Sequence, residues 1–385
     1  MRRVAQETPA GVPLAQRASM QVVEPGERFE LESGAHLSPI TVAYETLGEL
    51  SRTKDNVILI AHALSGDAHV AGRYRPDEAA VGWWDDFVGP GRAIDTDRYF
   101  VICSNVLGGC RGTTGPGSIN VATGRRYGMS FPTVTIGDMV RVQARLLDRL
   151  GIDRVAAVIG GSMGGMQAIE WAISFPERVG SAIVIASTSR LSAQSIAFNA
   201  VGRNAITSDP RWCGGDYYDN GEPLGGLAVA RMIGHITYLS DSSMQEKFGR
   251  ALREAEKLSY GFDSEFAVET YLDYQGAKFV ERFDGNSYLY ITKAMDYYDP
   301  AAECSSLAEA LAPSKARWLV VSYTGDWLFP TAQSRELVDA LLVGRKRVSF
   351  VELESAYGHD AFLLEYEPLA TIVSGFIQSV RDGKK

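Results

Sequence analysis

The sequence predicts an α/β protein with a mostly parallel sheet, helices on both faces and a helical lid insertion. Short, nearly continuous apolar segments, typical of strands covered on both faces, alternate with segments of helical periodicity. Between residues 191 and 311 the strand signals nearly vanish. At 385 residues the chain exceeds the usual size of a single core, so we expect one large domain with an insertion, or two domains.

The amino-terminal half contains the first predicted elements. Residues 1–20 include arginines but no continuous apolar segment, so we expect a loose tail and no signal sequence. The predicted strands are residues 38–47, 56–64 and 99–104. Residues 136–150 have the periodicity of an amphipathic helix, although Gln143 interrupts the apolar stripe.

Residues 155–168 predict a strand, a tight turn and a helix. Small and β-branched apolar residues end in Gly160-Gly161-Ser162-Met163-Gly164, which matches the Gly-x-Ser-x-Gly nucleophile elbow. Glycines allow the strand and the helix to cross closely, and the serine then lies at a helix amino terminus, where N–H groups stabilise negative charge. The pentapeptide alone is also compatible with a glycine-rich turn whose serine has no function.

The alternation of strands and helices resumes after the insertion. The predicted strands are residues 181–186, 317–323 and 347–353, and the predicted helices are residues 331–342 and 368–380. Because this pattern returns, we interpret residues 191–311 as a lid inserted into one core of residues 21–190 and 312–385. An independent second domain is the alternative. Within the lid, residues 243–258 and 266–279 have helical spacing.

Composition and charge narrow the class of function. Lys and Arg number 38 and Asp and Glu 47, a net charge of −9, which argues against nucleic-acid binding. No apolar segment approaches the roughly 20 residues of a membrane helix. The four cysteines lack paired spacing, so we expect free thiols in a reducing cytoplasm. We expect no metal site, because no His/Cys/Asp cluster has ligand spacing.

A nucleophilic serine needs a base and a third group that orients the base, in the chain order Ser, Asp or Glu, His. His359, the only one of five histidines beyond the lid, follows a late strand, and Asp326 follows the strand before it. Each could be an ordinary loop or turn residue. Three such residues in this order, at the ends of three strands, indicate a triad of Ser162, Asp326 and His359.

An oxyanion hole needs two N–H donors. One is expected from Met163, directly after the nucleophile. The other is expected from Leu64, in the loop of residues 62–67 that follows an early strand. We interpret the side chain of His62 as structural.

Five motifs together resemble the homoserine O-acyltransferases of methionine biosynthesis, a branch of the α/β-hydrolase fold. They are HALSGD at 62–67, NVLGGCRGTTGP at 105–116, GGSMGGMQ at 160–167, RFDGNSYL at 282–289 and YGHDAFL at 357–363. The resemblance extends from about position 40 to the carboxyl terminus. It implies the α/β-hydrolase fold, the triad named above and an acyl-serine intermediate with ping-pong kinetics.

The resemblance also implies residues that bind L-homoserine. Arg231 would bind its carboxylate with Tyr238 nearby, and Asp360 would bind its ammonium group. A zwitterion in a partly dry pocket does need a fixed cation and a fixed anion. In the sequence alone, an arginine on a lid helix is more typical of a solvated charge.

The expected acyl donor is acetyl-CoA, as a co-substrate without a bound cofactor. A succinyl group adds a carboxylate and so requires a cation. Family members that use succinyl-CoA are expected to carry arginine two residues after the acid, where this chain has Leu328. Arg111, in a loop that the family associates with substrate choice, is the one candidate for a cation that would bind a succinyl carboxylate.

Several alternatives remain open at this point. Succinyl transfer and serine as the acceptor stay within the family, whereas a carboxylesterase or a catalytically silent binding module does not. The family commonly forms homodimers through the lid. The tyrosine-rich lid suits such an interface, and packing inside the lid explains the tyrosines almost as well.

Overall fold

An eight-stranded sheet forms the centre of the computed structural model, which describes residues 14–382 except 76, 78–79, 220 and 254–256. Its strands are β1 (Gln16–Val23), β2 (Ile40–Leu47), β3 (Val57–Ala61), β4 (Phe100–Ser104), β5 (Ala157–Gly161), β6 (Ser181–Ile185), β7 (Arg317–Tyr323) and β8 (Val348–Leu353). They are ordered β1-β2-β4-β3-β5-β6-β7-β8. The pairs β1/β2 and β2/β4 are antiparallel and the others are parallel, which confirms the predicted, mostly parallel sheet.

Helices cover both faces of the sheet. Outside the insertion they are α1 (Ile136–Arg149), α2 (Met163–Ser174), α9 (Thr331–Val343), α10 (Ala361–Leu364) and α11 (Tyr366–Asp382). Helices α1, α2 and α9 share an apolar cluster with Val57 and Leu59 of β3. Helix α11 packs with Ile58 and Ile60 on the opposite face. Because successive strand residues point to opposite faces, a central strand that is apolar throughout serves both layers.

Helices dominate the segment from residue 191 to 311, which we call the helical insertion. In its described part it contains α3 (Ala193–Thr207), α4 (Leu224–Tyr238), α5 (Asp241–Lys247), α6 (Ala267–Val280), α7 (Gly285–Tyr297) and α8 (Leu307–Ala310). The helix expected over residues 243–258 is wrong in length, because α5 ends at Lys247. Gly249, at φ 48°, adopts the left-handed conformation that commonly ends a helix. Residues 254–256 of that expected helix lie outside the described residues.

The amino terminus also differs from the expected loose tail. Residues 16–20 belong to β1, an edge strand whose Met20 lies opposite Val42 of β2. Residues 1–13 lie outside the described residues. The sequence shows little of this strand because four of residues 16–21 are polar, and pairing with β2 holds these residues in place. The strand predicted over residues 56–64 is also too long. Strand β3 ends at Ala61, and residues 62–64 form a turn instead.

Candidate active site

Ser162 lies in a strained turn between β5 and α2. Its backbone has φ 58° and ψ −126°, which is rare for a residue with a side chain. A Cβ on Gly160 would come within 2.2 Å of the carbonyl carbon of Gly164, and one on Gly164 would come within 2.1 Å of the Ala61 oxygen. Only glycine fits at both positions, so the local sequence fixes the geometry of this elbow.

Ser162, His359 and Asp326 lie in one hydrogen-bonded line. The Ser162 hydroxyl is 2.9 Å from His359 Nε2, and His359 Nδ1 is 2.7 Å from Asp326 Oδ2. All three side chains are buried. The structure thus brings together the three residues that the sequence placed after three different strands.

Two backbone N–H groups hold the carboxylate of Asp326. Its Oδ1 accepts hydrogen bonds from Leu328 N at 3.0 Å and Phe329 N at 2.8 Å. The other oxygen, Oδ2, is left to accept from His359 Nδ1–H. This arrangement fixes the tautomer in which Nε2 has a lone pair for the serine proton.

The surroundings of His359 raise its pKa above the ordinary value. Burial by itself lowers the pKa of this imidazole, but the charge of Asp326, the hydrogen bond to it and the charge of Asp360 outweigh burial. The environment therefore stabilises the imidazolium that forms when His359 takes a proton.

The loop after β3 forms a tight turn over residues 62–66. Gly66 N–H donates to the Ala63 oxygen at 2.9 Å, and His62 Nδ1 contacts the same oxygen at 2.8 Å. His62 Nε2 accepts from Val106 N–H at 3.2 Å, and burial lowers the pKa of His62. This histidine is neutral and braces the turn, in agreement with the structural role predicted for it.

The turn of residues 62–66 crosses the amino terminus of α2 at close range, as the contact between Gly164 and Ala61 requires. Within the described part of the chain, the N–H groups of Leu64 and Met163 have no hydrogen-bond acceptor. Leu64 also lines the same small cavity as Ser162. Two unpaired donors beside a nucleophile are suited to stabilising an oxyanion.

A cation and an anion flank the buried histidine. The Arg231 guanidinium lies 5.5 Å from the ring of Tyr238, and that ring lies 5.9 Å from the His359 ring. Asp360 follows His359 directly. Its pKa is raised by burial, against the lowering effects of His359 and Arg231. Among the described residues the carboxylate of Asp360 has no hydrogen bond or ion pair, so it is available to a ligand.

The two acyl-specificity candidates lie in different places. Leu328 lines the cavity of about 40 Å³ next to Ser162, together with apolar residues that include Leu191, Phe198 and Phe329. Arg111 lies 3.9 Å from Asp67 and lines a separate cavity of about 590 Å³. The structure therefore brings Leu328, and not Arg111, to the cavity of the nucleophile.

Sequence reasoning missed a second arginine near this site. Arg282 Nη1 donates to the Ser65 oxygen at 2.8 Å, in the turn that contains Leu64. Its only sequence signal was membership of the RFDGNSYL motif. A polar network behind the elbow was also missed: Gln143 bridges Gln167 at 2.8 Å and Trp171 at 2.7 Å, which explains the interruption of the α1 stripe.

The described residues contain neither a metal-ligating cluster nor a membrane-spanning helix. No group of three or more His, Cys, Asp or Glu side chains is arranged to hold a metal ion. No helix in this part of the chain is long and apolar enough to cross a membrane.

Comparison with known proteins shows which family this chain belongs to. Residues 56–366 match the family described as alpha/beta hydrolase fold. The homoserine O-acetyltransferase of Rhodospirillum rubrum is 55% identical over 375 residues, which cover 97% of this chain and 95% of that protein.

Solved structures give the same relationship in three dimensions. The homoserine O-acetyltransferase of Bacillus anthracis superposes with a TM-score of 0.87 at 31% identity, covering 94% of this chain and 98% of that one. Esterase E22 superposes with a TM-score of 0.86, also at 31% identity, covering 94% of this chain and 100% of that one.

Proposed function

Because the chain belongs to the α/β-hydrolase fold family and, within it, to the homoserine O-acetyltransferases, we propose that it transfers acetyl from acetyl-CoA to the hydroxyl of L-homoserine. The observation that carries the proposal is the buried line of Ser162, His359 and Asp326, together with Arg231 and Asp360, which form no ion pair among the described residues. Such a site combines an activated nucleophile with complementary charges for a zwitterionic acceptor.

The first step acylates the serine. His359 Nε2 takes the proton of Ser162 while Oγ attacks the thioester carbon. The N–H groups of Leu64 and Met163 bind the resulting oxyanion. When the intermediate collapses, the C–S bond breaks, the CoA thiolate leaves with the proton from His359, and acetyl-Ser162 remains.

The second step transfers the acetyl group to the acceptor. Arg231 binds the carboxylate of homoserine with Tyr238 nearby, and Asp360 binds its ammonium group. His359 takes the proton of the acceptor hydroxyl, whose oxygen attacks acetyl-Ser162. Collapse breaks the bond to Oγ, and the proton returns to Ser162. Water competes with the acceptor here, so a site that orders the alcohol and excludes solvent favours transfer.

The cavity next to Ser162 supports acetyl as the acyl group. It is small, at about 40 Å³, and Leu328 lies in its wall together with Phe329. A succinyl group adds a carboxymethyl group, whose charge would need a partner in that wall. Arg111, the candidate cation for a succinyl carboxylate, lines another cavity.

A thiol-release assay tests the proposal. Purified protein is given acetyl-CoA or succinyl-CoA with homoserine or serine, and free CoA and acylated amino acid are both quantified. We expect the highest kcat/KM for acetyl-CoA with homoserine, and an acetyl adduct on Ser162 by mass spectrometry when the acceptor is omitted. A higher kcat/KM for succinyl-CoA would reject the acetyl assignment.

Ester hydrolysis is the second candidate function, because esterase E22 superposes as well as the acetyltransferase does. The ratio of O-acetylhomoserine to acetate released from acetyl-CoA separates the two. A hydrolase would release acetate at the same rate with and without homoserine. A transferase would direct most of the acetyl group to the acceptor.

The proposal also covers the cellular compartment, the co-substrate and the oligomeric state. We place the reaction in the cytoplasm, with acetyl-CoA as a co-substrate and no bound cofactor. We also propose a homodimer through the helical insertion. Tyr288, Tyr290 and Tyr298 are buried and so pack internally, whereas Tyr274 and Tyr297 are more than half exposed and are free for a partner surface. Light scattering tests the dimer.

A further inference from the structure

Two arginines of the helical insertion converge on Ser65 in the turn of residues 62–66. Arg231, on α4, donates from Nη1 to the Ser65 hydroxyl at 3.1 Å. Arg282, two residues after α6, donates from Nη1 to the Ser65 backbone oxygen at 2.8 Å. Ser65 directly follows Leu64, the proposed oxyanion donor.

An internal ion pair does not explain these arginines. Neither Arg231 nor Arg282 has a carboxylate within ion-pair distance in the described part of the chain. Their guanidinium groups both lie near the ring of Phe279, at 4.8 Å and 5.4 Å. Burial, followed by the charge of Arg231, lowers the pKa of Arg282. Holding two like charges together is unfavourable, so their placement requires another reason.

The core and the insertion hold different parts of the turn. His62 is held by the core, through the Gln167 side chain at 3.2 Å from the His62 oxygen and through Val106 N–H at 3.2 Å from His62 Nε2. Ser65, among the described residues, receives its hydrogen bonds only from the two arginines of the insertion. The orientation of Leu64, between these two parts, therefore depends on both.

We propose that Arg282 is a positioning residue for the oxyanion hole, which orients the Leu64 N–H by holding the Ser65 carbonyl. A charged donor makes a stronger and shorter hydrogen bond to a carbonyl than a neutral one does, and so limits rotation of the turn. An N–H that is displaced from the developing oxyanion loses most of its stabilising effect. The inference rests on the proposed function only in taking Leu64 as an oxyanion donor for acyl transfer.

The consequence is a specific kinetic defect. Loss of the Arg282 side chain should slow formation of acyl-Ser162 from any acyl donor, including a small neutral ester that needs no acceptor. Loss of one oxyanion donor typically costs 10²–10³-fold, and a misplaced donor retains part of its effect, so we expect about a 10- to 100-fold slower acylation. The KM for homoserine should change by less than about threefold, because Arg231 and Asp360 remain.

The experiment measures the burst of p-nitrophenol from p-nitrophenyl acetate in Arg282→Met, Arg282→Gln and Arg282→Lys, together with the homoserine KM in the full reaction. Methionine cannot donate, and glutamine is too short to reach the Ser65 oxygen. Both should show the slow burst, whereas lysine should recover part of the rate because its ammonium can donate to a carbonyl. If the methionine variant does not fold, the glutamine variant gives the same comparison.

Arg250→Met is the matched control. Arg250 is an exposed arginine of the same insertion, its guanidinium lies 5.2 Å from the ring of Phe266, and among the described residues it makes no hydrogen bond to the turn. Its burst should equal that of the wild type. A wild-type burst in folded Arg282→Gln, or a defect confined to the homoserine KM, would overturn the proposal. Because the burst needs neither CoA nor homoserine, failure of acetyl transfer in the wild type would reject the proposed function and leave this test intact.

Discussion

The α/β core and the helical insertion contribute to the site in different ways. The core presents Ser162, Asp326 and His359 at the carboxyl ends of β5, β7 and β8, where backbone geometry and burial fix each side chain. The insertion contributes Arg231 and Tyr238 from α4, a helix with exposed Val229 and Ile236. We therefore propose that the core carries the bond-making chemistry and that the insertion contributes to recognition of the acceptor.

The two regions meet at the base of the site. A Cβ on Gly358, which has φ 72°, would lie 2.6 Å from the backbone nitrogen of Ser240, just beyond α4. Trp327 Nε1, next to the acid, donates to the Leu239 oxygen at 2.9 Å. The end of α4 is therefore packed against the loops of the acid and the base. We expect substitutions in the two regions to produce separable defects.

The largest effect is expected in the core. Ser162→Ala removes the nucleophile, and we expect acetyl transfer to fall by about 10⁴-fold or more. CoA release and the acetyl adduct seen by mass spectrometry measure this change. The thermal unfolding midpoint should stay close to that of the wild type. An adduct that persists in this variant would place the nucleophile elsewhere.

In the insertion, Arg231→Met should impair use of the acceptor. A hydrogen bond to a charged group contributes about 1.5–3 kcal/mol, so kcat/KM for homoserine should fall about 10- to 100-fold. Hydrolysis of p-nitrophenyl acetate should fall much less. Equal losses in the two assays would contradict the division of labour between the regions.

The pH dependence tests the division of roles between the core and the insertion, because Asp360 belongs to the core yet is proposed to bind the acceptor. His359 must be neutral to accept a proton, and its pKa is raised, so kcat/KM should fall as the pH falls through that raised value. Asp360→Asn removes a charge that raises the pKa of His359. The acidic limb of ester hydrolysis should move to lower pH, and kcat/KM for homoserine should fall about tenfold. If the acidic limb of the pH profile does not move, the charge of Asp360 does not raise the pKa of His359.

The smallest effect on activity is expected for Gln143→Leu, behind the elbow. It would remove the acceptor of the Trp171 indole N–H and the donor to the Gln167 amide oxygen, so the free energy of unfolding should fall by about 1–3 kcal/mol, as urea denaturation would measure. The kcat should change by less than about threefold. Gln333→Leu is the control: Gln333 Oε1 is buried without a partner in the described part of the chain, and its replacement should not destabilise the protein.

The sequence alone predicted the elements whose geometry is local. The elbow follows from steric exclusion at Gly160 and Gly164. The buried strands follow from short apolar segments, and α1 was predicted to within a residue of its ends. The order of Ser162, Asp326 and His359 was informative because parallel strands carry their following loops to the same edge of the sheet.

Features that depend on long-range pairing escaped this reasoning. Strand β1 is held in place by its pairing with β2. The early end of α5 was missed for a different, local reason, because Gly249 adopts a left-handed conformation. Leu328 was the sequence argument for acetyl and Arg111 the candidate cation against it, yet the two lie in different cavities. The sequence alone does not indicate which of two loop residues lines a given cavity.

Sequence by itself thus determined which residues are the candidate nucleophile, base and acid, because backbone sterics and strand topology restrict where such residues can lie. Tertiary structure alone decided what surrounds them. Arg231 and Arg282 contact Ser65 across 166 and 217 residues of chain. A guanidinium at the end of a long, flexible side chain has many possible partners, and only the packing of the insertion on the core selects one.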